Sequence, residues 1–80
     1  MKGRAAAVEA VFGEDGRIEP RRFTWQGTWL DVEGVGRRWT EDAERCWNIM
    51  AAGGSVFELR LDLASLRWAV TRGPSGPRVA

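Results

Sequence analysis

From Phe57 to Leu63 the chain reads Phe-Glu-Leu-Arg-Leu-Asp-Leu, with every second residue apolar. A period of two places Phe57, Leu59, Leu61 and Leu63 on one face of a β-strand and Glu58, Arg60 and Asp62 on the other. A strand with one dry and one wet face must pair with extended neighbours, so this stretch sets the register of whatever flanks it. The segment before it carries two patterns. Ala43, Cys46, Trp47 and Met50 recur at helical spacing behind Thr40-Glu41-Asp42, which resembles a helix N-cap with acids in the first turn, and Gly53 suits a C-cap. The same segment also alternates, with Trp47, Ile49 and Ala51 on one side. A three-residue loop, Ala52-Gly53-Gly54, sets Ile49 opposite Phe57 and Trp47 opposite Leu59, so that the apolar faces coincide. A two-residue Gly53-Gly54 turn would put Trp47 beside Arg60 instead. The register therefore favours a strand over residues 45–51, leaving room for a short helix only near 40–46.

The same logic extends in both directions. Residues 64–66 turn the chain, and a two- or four-residue loop aligns Trp68 with Leu61 and Val70 with Leu59. Upstream, Ala5–Phe12 is small and apolar around Glu9 and fits a strand or a short helix. Gly13-Glu14-Asp15-Gly16 is a turn in which Asp-Gly supplies positive φ. Residues 17–25 form a strand interrupted by Pro20, which marks an edge or a bend because proline cannot donate to a ladder. Phe23 and Trp25 then share a face. Gln26-Gly27 is the next turn, and Thr28–Trp39 is a strand that bends or bulges at Gly34 and Gly36. Together these elements specify a mainly β fold, a five- or six-stranded antiparallel meander curled into a small barrel-like sheet. The domain spans residues 1–72, and residues 73–80 have the turn composition of a disordered tail.

Composition explains what holds so small a sheet together. The chain has 80 residues, five Trp, three Phe, no Tyr and no His. One buried Trp removes roughly 200 Å² from water, about 5 kcal/mol of gross transfer energy before entropy is subtracted. A few of the tryptophans suffice to anchor the core, and the remainder are available to a surface. Cys46 is the only cysteine, so no disulfide forms within the chain, and it is expected to be a small buried apolar residue. The net charge is +1, and Lys2 is the only lysine among the basic residues. That balance lacks the basic excess of a dedicated nucleic-acid domain, and no segment is a block of like charge. No apolar run is long enough for a transmembrane helix, and the start, Met1 to Val8, stops resembling a signal peptide at Glu9. A cytoplasmic protein without membrane association is expected.

Certain residues also carry a likeness. They are Pro20-Arg21-Arg22-Phe23-Thr24-Trp25-Gln26-Gly27, then Trp39, then Arg45-Cys46-Trp47-Asn48-Ile49, then Gly54-Ser55-Val56-Phe57-Glu58-Leu59, Asp62 and Trp68-Ala69-Val70-Thr71-Arg72. Over about residues 18–72 this series resembles a bacterial domain family of unknown function. That family's pattern runs Pro, Phe-x-Trp-x-Gly, a lone Trp, Arg-x-aromatic-x-Val, Gly-x-aromatic-Glu-Leu and Trp-x-Leu-x-Arg. A related pattern is similar to the C-terminal extension of the inactive Y-family-polymerase-like protein of the bacterial mutagenesis complex. The chain departs from it at Trp47 and Phe57, where tyrosines are usual, and at Met50-Ala51, where a charged strand end is common. The resemblance implies a strand over 45–51 and a role accessory to DNA repair and translesion synthesis. It assigns no catalytic residue.

Catalytic chemistry has little to work with. Without His, the usual nucleophile–base pairs and most zinc sites are absent. The carboxylates Asp31/Glu33 and Glu41/Asp42 read as solvated strand and turn charges. Gly34-x-Gly36 lacks the third glycine of a dinucleotide loop. No enzyme activity, cofactor or metal is expected. What remains is arginine interleaved with aromatics: Arg21, Arg22, Phe23 and Trp25, then Arg37, Arg38 and Trp39, then Arg67, Trp68 and Arg72. The candidate binding surface is Arg21, Arg22, Trp25, Trp29, Arg37, Arg38, Trp39 and Arg67. Exposed Trp–Arg patches are the material of protein-interaction hot spots, which makes an unknown protein the expected partner. On a curled sheet the same rows could stack single-stranded nucleic acid, the alternative.

Overall fold

The computed structural model describes residues 3–75 and is built from β-strands alone, which make up 73% of it. There are seven strands: β1 (Arg4–Ala6), β2 (Val8–Phe12), β3 (Ile18–Trp25), β4 (Thr28–Glu41), β5 (Glu44–Ala51), β6 (Val56–Asp62) and β7 (Trp68–Ser75). All pairings are antiparallel, in the order β1-β7-β6-β5-β4-β3-β2. From β2 to β7 this is the expected meander. The additional strand arises because the first segment is divided. Its start runs along β7 as β1, and after Ala7 it runs along β3 as β2. Ala7 ties this crossover to β3, its amide donating to Thr24 Oγ1 and its carbonyl accepting from the Thr24 amide, both at 3.0 Å. One short piece of chain thus forms both ends of the strand order, and the sheet curls into a half-barrel.

β4 is the second hinge of the curl. Its residues 28–31 pair with β3, whereas 32–41 pair with β5. Two register shifts, between Val32 and Gly34 and between Val35 and Arg38, place bulges at the two strand glycines. Because β4 leaves β3 after Asp31, the start of β3 has a ladder only with β2, and Pro20 occupies that singly paired stretch. The open seam is bridged by side chains. Arg38 Nη2 donates to both oxygens of Glu19 at 3.1 Å, and Arg45 Nη1 donates to the Gly16 carbonyl at 3.3 Å.

The register that the alternation specifies is the one observed. Trp47 lies opposite Leu59, Ile49 opposite Phe57, Leu59 opposite Val70 and Leu61 opposite Trp68. Phe57, Leu59 and Leu61 are buried, and they meet Phe23, Trp47 and Ile49 in the core. Phe23 and Trp25 contact Phe57 edge-on at 5.0 and 5.4 Å, while Trp47 and Trp68 stack at 5.2 Å. Rings therefore fill the space between the two halves of the curl, with the edge-to-face geometry that aromatic quadrupoles favour.

Three expectations need correction. No helix forms near 40–46. Asp42 and Ala43 both take positive φ, 50° and 61°, and make a two-residue hairpin turn between Glu41 and Glu44. Aspartate serves both as a helix cap and as a tight-turn residue, so Asp42 opens the turn while Thr40 and Glu41 end β4. Leu63 lies past the end of β6 and is exposed. The expected tail begins too early as well, because Gly73–Ser75 continue β7 and Val56 pairs with Ser75. Gly73 permits this. Its φ is 124°, and a Cβ there would stand 2.7 Å from the Phe57 ring and 2.8 Å from the Val56 carbonyl. The remainder of the expected tail, 76–80, lies outside the described residues.

Candidate functional site

Where β4, β5, β6 and β7 lie side by side, the ladders align their outward residues into rows. The lowest row joins Gly34, Met50, Val56 and Ser75. The second joins Asn48, Glu58 and Arg72, with Arg37 in the bulge of β4 opposite Asn48. The third joins Trp39, Cys46, Arg60 and Ala69, and the fourth Glu41, Glu44 and Asp62. Along the strands the outer face thus passes from apolar, through arginine-flanked, to acidic.

Arg60 holds the centre. Its Nε donates to Glu58 Oε2 at 2.8 Å, its Nη1 to Glu44 Oε1 at 3.0 Å and its Nη2 to Glu41 Oε1 at 3.2 Å. The Thr71 hydroxyl donates to Glu58 Oε2 at 2.6 Å, and Trp39 Nε1 donates to Glu41 Oε1 at 2.9 Å. Two guanidinium groups approach the Trp39 ring, Arg37 at 4.7 Å and Arg60 at 5.9 Å. The electrostatics follow from these contacts. Burial pushes the Glu58 carboxyl upward, but the bonds from Thr71 and Arg60, with the charges of Arg60 and Arg72, outweigh it and hold its pKa below 4.5. The Trp39 hydrogen bond, followed by the Arg60 charge, lowers Glu41. The bonds to Glu58 and Glu44 raise Arg60, which stays charged. Burial raises the Cys46 thiol against an opposing pull from Arg60, so it remains the small neutral filler the sequence suggested.

Around this network lies a groove of about 740 Å³, lined by Arg37, Trp39, Asn48, Glu58, Arg60 and Arg72 among others. A second, apolar groove of about 310 Å³ lies over Gly34, Val35, Gly36 and Met50, and the two share Asn48 and Val56. Among the described residues Arg37 enters no ion pair. Arg72 is 83% exposed and only 4.0 Å from Glu58.

The residues picked out in the sequence are divided by the fold. Arg37 and Trp39 come together on this groove. Arg22 and Trp29 form a second stack, also at 4.7 Å, at the other end of β4. Trp25 is turned to the core rather than to a surface patch, because it packs on Phe57, and the Arg4 guanidinium lies 5.3 Å from its ring. Arg38 is drawn into the seam by Glu19. Arg21 is the extra residue of a bulge opposite β2, and Arg67 is exposed beside the β6–β7 loop. Residues missed in the sequence are Asn48, Glu58, Arg60, Glu41 and Glu44. The signal for them was present, since the wet face of the strand at 57–63 lies against the outward residues of β5 once the register is fixed.

Among the described residues no group of His, Cys, Asp and Glu is placed to hold a metal ion, and no helix is long and apolar enough to cross a membrane. Fold and face together define a small antiparallel β half-barrel with a charge-graded outer groove. The chain matches no family model, no curated protein and no solved structure.

Proposed function

We propose that this domain is a non-enzymatic protein-interaction module whose contact surface is the outer groove of β4–β7. The observation that carries this is the Arg37–Trp39 stack on the groove rim, with the Arg37 guanidinium in no ion pair among the described residues. Trp and Arg are enriched among the few residues that dominate binding energy at protein interfaces. The resemblance to the C-terminal extension of the polymerase-like mutagenesis protein makes translesion-synthesis factors the first partners to try. Single-stranded nucleic acid is the second choice. It draws on the two arginine–tryptophan stacks, but the acids around Arg60 weigh against phosphate.

Photo-crosslinking tests this directly. A benzophenone amino acid in place of Asn48, in the full chain within its source cells, is expected to trap one protein at stoichiometric yield. Trp39→Ala in the same chain should abolish the adduct. Recovery of nucleic acid alone, or an adduct indifferent to Trp39, would remove the proposal.

A further inference from the structure

The geometry points to an occupant of defined chemistry: an extended peptide segment lying along β5, with an apolar residue, an acidic residue and a basic residue in that order. This deepens the interaction reading and rests on it.

The order comes from the rows. At the apolar end, Met50 is 42% exposed, and the strand glycines Gly34 and Gly36 leave the floor bare. Neither glycine is demanded by the backbone, since neither has positive φ. Nor is either demanded by crowding. A Cβ at Gly34 would meet only Met50 Cε at 3.7 Å, and one at Gly36 only the Asn48 carbonyl at 3.7 Å. Glycine weakens a strand, so two of them where β-branched residues would fit keep a trough open at a cost to the fold. That trough accepts an apolar side chain.

The charge then reverses along the groove. At the level of Asn48, Arg37 and Arg72 face the single charge of Glu58, which Arg60 and Thr71 already occupy. At the far end Glu41, Asp42, Glu44, Glu58 and Asp62 line the surface with Arg60 and Arg72, so acids outnumber bases. A carboxylate therefore suits the middle and a cation the far end, and the opposite order sets like charges together. Residues of an extended chain on one side recur about every 6.6 Å, which matches the spacing of successive rows. Phosphate along the whole length would meet the acidic row, which is why a peptide rather than a nucleic acid is inferred.

The probes are two labelled peptides, Leu-Thr-Glu-Thr-Ala-Thr-Lys and its charge-exchanged form Leu-Thr-Lys-Thr-Ala-Thr-Glu, each also in reversed sequence, with oligo-dT as the nucleic-acid arm. By fluorescence anisotropy with the whole chain at low salt, the first order in one of its two directions is expected to bind roughly tenfold more tightly than the exchanged order. Gly36→Val should remove that binding while leaving thermal unfolding unchanged or raised. Arg72→Glu, a change at an exposed site, should erase the preference. Equal binding of the two orders, no binding of either, tighter binding of oligo-dT, or full binding by the Gly36→Val chain overturns the inference. If the Asn48 crosslink depends on Trp39 while the peptide orders bind alike, the interaction reading stands and only the occupant's chemistry is wrong.

Discussion

The molecule carries the same pair of residue types at the same distance near both ends of β4. Arg22 stacks on Trp29 and Arg37 on Trp39, each with the guanidinium 4.7 Å from the ring. Their surroundings differ. The Arg22–Trp29 corner sits on the β3–β4 hairpin beyond the point where β5 joins, and its one ion pair among the described residues is a 4.0 Å approach to a well-exposed Glu9. The Arg37–Trp39 corner belongs to four adjacent strands. Its indole donates to Glu41, Glu41 accepts from Arg60, and Arg60 also binds Glu44 and Glu58. An Arg–Trp stack is a local product of the sequence. Whether it belongs to a site depends on the strands the fold brings beside it, and those are non-local.

The largest expected difference between the corners is in stability. Arg60→Met leaves Glu44 without its cation and Glu58 with only the exposed Arg72 at 4.0 Å, both carboxylates being largely covered. Removing one partner of a mostly buried network should cost about 2–3 kcal/mol, measured by urea unfolding. The equivalent change at the other corner, Arg22→Met, loses an exposed cation–π contact and should cost less than about 1 kcal/mol. Equal losses would mean that the Arg60 network adds nothing beyond the stack. The next difference is in binding. Trp39→Ala should weaken the crosslinked partner by roughly tenfold or more, as loss of a hot-spot tryptophan does, whereas Trp29→Ala should change it by less than about twofold. A matching loss at Trp29 would extend the interface to both ends of β4, and the groove would cease to be its boundary.

Much of the fold was legible because one strand alternates without error. Once 57–63 is fixed, the positions of Trp47, Ile49, Trp68 and Val70 follow from period two alone. Gly34 and Gly36 signalled the bulges, since a glycine in a strand interior marks either a bulge or a surface left bare. The division of the first strand was not legible. Ala5, Ala6 and Ala7 are too small to declare a face, so nothing local says that the chain changes partner there. The segment at 40–46 misled because Cys46 is apolar yet lies in an outward row, buried between Trp39 and Arg60 on the neighbouring strands. An apolar residue on each side of β5 imitates helical spacing. For the site, Arg37 and Trp39 were visible as residue types, while Arg60 looked like an ordinary wet-face charge. Its role depends on Glu44 lying one strand away and Glu41 two, in a register that no local pattern displays.

Acid titration sharpens the contrast from another direction. The Glu58 pKa is depressed in the folded chain below its ordinary value of 4.5. A depressed carboxylate contributes stability that is present above its unfolded pKa and lost as pH falls through the folded one. The unfolding free energy should therefore be level near neutrality and decline once the pH drops below that ordinary value. Glu58→Gln should flatten part of the decline, and Glu41, lowered by Trp39 and Arg60, should retain the rest. A variant that falls as steeply as the parent would show that the carboxylate is not held by Arg60 and Thr71 in solution.

The smallest effect concerns what joins the two corners. Between them the seam of the half-barrel is spanned by Arg38 and Glu19, a bidentate pair whose arginine side chain is about half exposed. Water screens such a pair, so a double-mutant cycle of Arg38→Ala and Glu19→Ala should return a coupling of only about 0.5 kcal/mol. The latch nevertheless sits where β3 and β4 part, and opening it exposes the ladder edges of both. Native-state hydrogen exchange in Glu19→Ala should accelerate at Arg38 and Thr40 before it changes at Leu59, in the middle of β6. If every amide accelerates together, the seam opens only with the whole fold, and the two ends of β4 are one cooperative unit rather than two corners that happen to share a strand.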